Sequence, residues 1–186
     1  MTRDGLQLLL QDVVGLLSAI GIPHMVVGSF ASMVHGEPRT TQDLDVVIDP
    51  TAEQLEQLLQ RLPADRYYVD PDVARDARRR RSMFNVIDMA SGWKMDLIVR
   101  KARPFSVEEL QRRAKATMQG VVVDTATAED TIIAKLEWSK AGSSERQLED
   151  IAGILRVRGD KLDRAYIERW VDELELREQW DRAQRL

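Results

Sequence analysis

Asp43 and Asp45 stand one residue apart in an otherwise apolar run, Asp43-Leu44-Asp45-Val46-Val47-Ile48. In a strand alternate side chains share a face, so the two carboxylates point the same way, roughly 7 Å apart at Cα. Leu44, Val46 and Ile48 then point into the core. Two carboxylates on one face repel each other unless a cation lies between them. A third aspartate, Asp96, sits in a later apolar run between Met95 and Leu97. If the two strands are neighbours, three carboxylates converge on one patch. Hard oxygen ligands of this kind suit Mg2+ or Mn2+, ions that keep coordination positions open for substrate phosphates. Ahead of the pair, Val26-Val27-Gly28-Ser29 ends an apolar run in a small-residue turn. Gly28 lets the backbone approach closely. Ser29 suits a helix N-cap, where backbone N–H groups make a natural seat for a phosphate. The chemistry implied is a metal-assisted displacement on a phosphate-bearing substrate.

The elements that must position these residues follow from periodicity. Leu6, Leu9, Leu10, Val13, Leu16, Leu17 and Ile20 recur at helical spacing, and Gly21 and Pro23 stop that helix. His24 to Val27 reads as a short buried strand. Phe30 to His35 reads as a short helix ended by Gly36 and Pro38. Asp43 to Ile48 is the acidic strand, closed by Pro50. Thr51-Ala52-Glu53-Gln54 has the form of a capping box and starts a helix with Leu55, Leu58, Leu59 and Leu62 on one face. Arg66 to Val69 reads as a short strand. Met83 to Met89 and Trp93 to Val99, separated by Ser91-Gly92, form a hairpin pattern. A helix over Val107 to Ala116 and a last strand over Gly120 to Val123 follow. Beyond about residue 125 the pattern is helical only. Thr127 opens one helix, Ser143-Ser144 caps the next, and Ile167, Trp170, Val171 and Leu174 form a last stripe. The expected fold class is α+β, a mixed sheet flanked by helices, with residues 1–124 as the core and 125–186 as a helical segment packed on it.

Composition excludes several function classes. The chain of 186 residues has no cysteine, which removes disulfides, thiolate zinc sites and cysteine nucleophiles. A net charge of −4 gives no global basic field for nucleic acid, though it leaves room for an enzyme that handles a nucleotide through metal ions. No run of 18 apolar residues exists to span a membrane, and Leu6 to Ile20, interrupted by Gln7, Gln11 and Asp12, does not read as a signal peptide. A cytoplasmic location is the default expectation.

The order Gly-Ser, helix, acid-x-acid strand, later acidic strand resembles the nucleotidyltransferase superfamily related to DNA polymerase beta. The matching residues are Gly28, Ser29, Asp43, Leu44, Asp45, Val46 and Asp96, with a thirteen-residue spacer between Ser29 and Asp43. A closer resemblance is to small bacterial nucleotidyltransferases that include AbiEii-type toxins. It runs through Val26 to Ser32, His35-Gly36-Glu37-Pro38-Arg39-Thr40-Thr41-Gln42-Asp43-Leu44-Asp45 and Gly92 to Ile98. It continues through Glu129 to Leu136 and Ser144 to Ile151, and so covers nearly the whole chain.

That resemblance implies transfer of a nucleoside monophosphate from a nucleoside triphosphate to an acceptor hydroxyl, with release of pyrophosphate. Asp43 and Asp45 would hold both Mg2+ (or Mn2+) ions. Asp96 would hold the catalytic ion and help to deprotonate the acceptor. Gly28 and Ser29 would contact the triphosphate. Lys135 resembles a lysine near the nucleotide, and Arg146 and Asp150 resemble an Arg-x-x-x-Asp element with a structural or supporting role. Read from the residues alone, Lys135 either meets a phosphate or snorkels to solvent, and Arg146 and Asp150 are spaced as a helical surface ion pair. The acceptor is left open among a tRNA 3′ end, a protein and a small molecule. An antitoxin or a second copy of the chain are the protein partners it suggests.

Other candidates stand lower. Arg39 precedes the acids and could meet a phosphate or pair with an aspartate. Lys94 shares a strand face with Asp96 at the edge of the site. Arg78 to Arg81 could touch an RNA, though such runs are usually solvated. His35 reads as a helix-end residue and Asp49 as a strand-end residue. Trp138, Trp170 and Trp180 lie on helical stripes and read as core or interface. A non-catalytic nucleotide- or partner-binding module of the same fold is the main alternative, and retention of all three acids counts against it. An Asp-x-Asp glycosyltransferase would need a larger sugar-nucleotide domain.

Overall fold

The computed structural model describes residues 3–41, 43–142 and 144–186. Gln42 of the acidic motif and Ser143 of the expected cap lie outside these. The first amphipathic helix forms as α1 (Arg3–Leu9), a π-helical stretch (Leu10–Val14) and α2 (Gly15–Ile20). Then come β1 (His24–Val26), α3 (Gly28–His35) and β2 (Asp43–Ile48). α4 (Ala52–Arg61) begins with the expected capping box, Thr51 accepting from the Gln54 N–H and Gln54 from that of Thr51. β3 (Tyr67–Tyr68), α5 (Pro71–Arg80), β4 (Met83–Asp88) and β5 (Lys94–Val99) complete the first half.

α6 (Pro104–Arg112) ends earlier than its periodicity suggests. The chain turns instead into β6 (Ala114–Met118), which pairs antiparallel with β7 (Val121–Thr125). Gln119 and Gly120 form the two-residue loop, both at positive φ, 47° and 76°. That is the turn whose twist matches a hairpin, and glycine at its second position makes it accessible. Every element after β7 is helical: α7 (Ala128–Gly142), α8 (Glu145–Arg158), α9 (Arg164–Glu173) and α10 (Arg177–Ala183), with a short 3-10 turn at Gly159–Lys161. Asp163 caps α9 by accepting from the Tyr166 N–H. Ser144 precedes α8 without a side-chain cap bond.

Among the described residues seven strands form one mixed sheet in the order β3-β4-β5-β2-β1-β7-β6. The acidic strand β2 lies between β1, antiparallel to it, and β5, parallel to it. Alternation divides the side chains of the two acidic strands. Leu44, Val46 and Ile48 of β2, with Met95, Leu97 and Val99 of β5, join the main core beneath α1, α2, α4 and α5. The odd positions of β2 and even positions of β5, including all three aspartates, face the other side. On that side Met25 and Val47 meet Leu110 of α6 and Ala126. A second core joins Phe105 of α6 to α7, α8, α9 and α10 through Ile132, Leu136, Ile151, Ile167 and Trp180. Among the described residues no helix is long and apolar enough to cross a membrane.

Trp170 and Trp180 are core residues, but Trp138 is 68% exposed.

Candidate active site

Asp45 and Asp96 are register partners on the parallel pair β2 and β5, and Asp43 is the partner of Lys94. Parallel pairing therefore places the three carboxylates and one ammonium on a single face, within two rungs of the ladder. Lys94 Nζ lies 3.3 Å from Asp43 Oδ1 and 3.3 Å from Asp96 Oδ1. Asp96 is buried, and its Oδ1 also accepts from Asn85 Nδ2 at 2.5 Å. Asn85 comes from β4, where antiparallel pairing sets it opposite Asp96. It was missed in the sequence, although the hairpin register, once drawn, would have found it.

Asp45 differs from its neighbours. Among the described residues its carboxylate accepts no hydrogen bond, while its backbone C=O accepts from the Val27 N–H at 2.9 Å. Burial, with the charges of Asp96 and Asp43, pushes its carboxyl up to about 6. Gly28 makes room for it. A Cβ on Gly28 would lie 2.1 Å from Asp45 Oδ2, and Gly28 has φ +62°, a conformation glycine adopts without strain. α3 begins at Gly28 with Val27 as its N-cap, so Ser29 lies in the first turn of the helix and not at the cap itself.

A second set of charges adjoins the first. Arg39 donates from Nη2 to Ser29 Oγ, and its Nε lies 3.1 Å from Asp150 Oδ1. Lys135 Nζ donates to Asp150 Oδ2 at 2.6 Å and to Gln147 Oε1 at 2.8 Å. Asp150 on α8 thus holds Arg39 from the loop before β2 and Lys135 from α7. Lys135 is buried and does not snorkel. Burial lowers its pKa, while Asp150 and then Asp45 favour its charged form. Arg146 does not pair with Asp150; it is exposed and donates to the Thr40 C=O at 3.3 Å. His35 closes α3 with Nε2 2.7 Å from the Ala126 C=O and Nδ1 2.9 Å from Arg158 Nη2, so both ring nitrogens are engaged away from the acids.

The arginine run lies elsewhere. Arg78 donates to the Pro50 C=O and Arg81 to the Arg100 C=O, both just past the far ends of β2 and β5. At about 3.3 Å per residue this is some 20 Å from Asp43. Arg79 and Arg80 pair with Asp76. Asp49 is a strand-end residue held by Arg100 at 2.7 Å.

The structure therefore gathers Gly28, Ser29, Arg39, Asp43, Asp45, Lys94, Asp96 and Lys135 around one end of β1, β2 and β5. As a donor set the carboxylates suit a hard divalent cation. Two of them stand side by side, and among the described residues no hydrogen-bond donor meets the Asp45 carboxyl. Among the described residues no three acidic or histidine side chains close into a ready-made metal cage. Asp43 is held off by Lys94, so a divalent ion here would draw its remaining ligands from substrate phosphates or water.

The sequence matches no protein-family model and no curated protein. Solved structures do match. The antibiotic-resistance factor ANT(2'')-Ia superposes with a TM-score of 0.61 at 11% identity, covering 99% of this chain and 98% of that one. An antigenic nucleotidyltransferase-like protein from Paracoccidioides brasiliensis gives 0.56 at 16% identity, covering 92% and 89%. The lincosamide antibiotic adenylyltransferase LnuA gives 0.52 at 11% identity, covering 78% and 93%. The chain has the nucleotidyltransferase fold, with its three aspartates at one end of the mixed sheet.

Proposed function

We propose that the protein is a divalent-metal-dependent nucleotidyltransferase that moves a nucleoside monophosphate from a nucleoside triphosphate to an acceptor hydroxyl. The observation that carries this reading is the pairing of Asp45 with Asp96 on adjacent parallel strands, beside the Gly28-Ser29 turn at the N-terminus of α3. In the reaction the acceptor oxygen bonds to the α-phosphorus, the bond from that phosphorus to the pyrophosphate oxygen breaks, and pyrophosphate leaves. A Mg2+ or Mn2+ ion, when bound, supplies Lewis-acid stabilisation of the entering and leaving oxygens.

The chain's own residues do the rest. Asp43, Asp45 and Asp96 would hold the ion. Asp96, buried and oriented by Asn85, takes the proton of the acceptor hydroxyl. Backbone N–H groups at Gly28 and Ser29 face the triphosphate, where the helix dipole favours negative charge. Arg39 and Lys135, both held by Asp150, offer positive charge to the same phosphates. Acceptors to be tried are tRNA 3′ ends, proteins and small molecules; LnuA, a neighbour in fold, is by name an antibiotic adenylyltransferase and keeps the last class in the set. A toxin–antitoxin role is compatible with this chemistry and is tested by co-expression with adjacent genes.

The direct test incubates the protein with each labelled nucleoside triphosphate, Mg2+ or Mn2+, and these acceptor pools. Asp43→Asn and Asp45→Asn serve as controls. Label should move to an acceptor with wild type and not with Asp45→Asn. If wild type transfers no label and binds no nucleotide by calorimetry, the reading fails.

A further inference from the structure

The sheet face that carries the aspartates is covered on one side of them and open on the other. Over β1 and β2 it meets α6: Met25 is fully buried, and Val47 packs beside Leu110 and Ala126. Register carries the same face across β5, β4 and β3, with Asn85 opposite Asp96, Met83 opposite Ile98, and Tyr68 opposite Ile87. There Tyr68 is 55% and Met83 45% exposed, and Asn85 is exposed as well. The alternate residues Tyr67, Phe84 and Val86 are buried in the main core on the opposite side. Asp45 and Asp96 therefore stand at the edge of an open floor.

An antiparallel sheet commonly leaves one face in water, and that face is then polar. This one presents Tyr68 and Met83, and it ends in cations. Arg100 lies four residues beyond Asp96 on the same side of the chain, about 13 Å along it. Its N–H extends the ladder to the Ile48 C=O at 2.8 Å, and its Nη2 lies 2.7 Å from Asp49 Oδ2. Arg81, the C-cap of α5, places Nη1 2.7 Å from the Arg100 C=O and 3.8 Å from Asp49 Oδ1. One carboxylate is thus shared by two guanidinium groups. Lys101 beside them is exposed and makes no ion pair among the described residues. A helix C-terminus favours cations and accounts for the run on α5 as far as Arg81. It does not account for Arg100 and Lys101, which add to an excess of positive charge in a chain of net charge −4.

We infer that the open face of β3, β4 and β5 is the acceptor surface, and that the acceptor is the single-stranded 3′ end of an RNA. Its terminal hydroxyl lies at Asp96, and its phosphates further back meet Arg81, Arg100 and Lys101. This rests on the reading of Asp96 as the group that meets the acceptor hydroxyl. Arg39 and Lys135, tied to Asp150 of α8, serve the triphosphate on the covered side of the acids. The open side is left for the second substrate. Bases have apolar faces and stack on aromatic and apolar side chains, which suits Tyr68 and Met83, while the strand's phosphates suit the guanidinium groups.

The test is fluorescence anisotropy of a 5′-labelled single-stranded 12-nucleotide RNA with the full chain, over a series of KCl concentrations. Wild type should bind, with a slope of log K against log salt of about −2, as about three phosphate contacts on a single strand predict. Arg81→Gln with Lys101→Gln should weaken binding about tenfold or more and bring the slope to about −0.7. Met83→Glu, which sets a carboxylate between Asp96 and Arg100, should weaken binding by a similar factor. Arg164→Gln with Arg177→Gln makes the same change of charge on α9 and α10 and should leave binding as it was. Melting temperature and nucleotide affinity by calorimetry check that each variant is folded. No RNA binding by wild type in 50 mM KCl, a folded Met83→Glu that binds like wild type, or an equal loss in the α9–α10 variant overturns the inference. Transfer of label to protein in an RNase-treated acceptor pool also overturns it, and leaves the functional reading standing. Absence of nucleotide binding in wild type removes the functional reading, and this inference with it.

Discussion

A Cβ on Gly28 would come within 2.1 Å of Oδ2 of Asp45, so the first residue of α3 and the second aspartate of β2 share a space that only glycine leaves open. Gly28 also has φ +62°, which costs an L residue roughly 1–2 kcal/mol. Gly28→Ala should therefore do two separable things. It should lower the melting temperature by roughly 2–8 °C, as that strain predicts for a chain of this size. It should also push the Asp45 carboxylate off its position and reduce transfer activity by far more than the loss of stability explains. Measuring both on the same preparation checks this. An alanine variant of full activity would mean that Asp45 need not stand where it does.

The carboxyl of Asp45 is pushed up to about 6, first by burial and then by Asp96 and Asp43. A raised acid favours its protonated form in the fold. Its contribution to stability is present below the unfolded value of 3.8 and is lost as pH rises through about 6. A shift of about two units corresponds to about 3 kcal/mol. In EDTA the melting temperature of Asp45→Asn should match wild type near pH 4 and exceed it by several degrees at pH 7. Adding Mn2+ and nucleotide at pH 7 should raise wild type and not the variant. Parallel pH profiles of the two proteins would show that Asp45 carries no such penalty.

Asp150 is the hinge of the second charge set, bonded to Lys135 at 2.6 Å and placed 3.1 Å from Arg39. Lys135 is 4% exposed, so removal of its partner leaves a buried charge unpaired. Breaking such a pair from one side costs about 3–5 kcal/mol. Asp150→Ala should lower the unfolding free energy by that order in urea titrations. Lys135→Met combined with Asp150→Ala should recover much of it, because the charge left behind is then gone. A double variant as unstable as the sum of the two singles would show that the pair does not act as a unit.

Much of this architecture was legible in the residues. The alternation of Asp43, Asp45 and Asp96 with Leu44, Val46, Met95 and Leu97 is a period of two, and it fixes which face each acid takes. β6 was not legible. Only Met118 of its five residues is buried, so it carries no apolar pattern of its own and is a strand because β7 pairs with it. Lys94 could be placed beside Asp96, two residues on, but its contact with Asp43 depends on the register of β2 on β5. The Arg39–Asp150 contact joins residues over a hundred positions apart and follows from the docking of α8 near α3. Helical spacing could not show that Trp138 is exposed on α7, because periodicity marks a stripe without saying what covers it.

Glu109 supplies a test away from the acids of the sheet. It is buried on α6, and burial, with the charges of Asp130 and Glu137 on α7 and against that of Arg103, pushes its carboxyl up to about 8. At neutral pH it is largely the uncharged acid. The stability it contributes is present below 4.5 and is lost as pH rises through about 8. Glu109→Gln keeps the size and removes the titration. Its neighbour Asp130 keeps its donors, Tyr166 at 2.6 Å and Thr127 at 2.7 Å, so the surrounding network survives the change. Urea unfolding at pH 5, 7 and 9 should give nearly equal stabilities at pH 5 and a widening advantage for the variant above it. That advantage should reach the order of 4 kcal/mol at pH 9. A wild type that loses no more stability than Glu109→Gln between pH 5 and 9 would mean that Glu109 is already ionised in the folded protein.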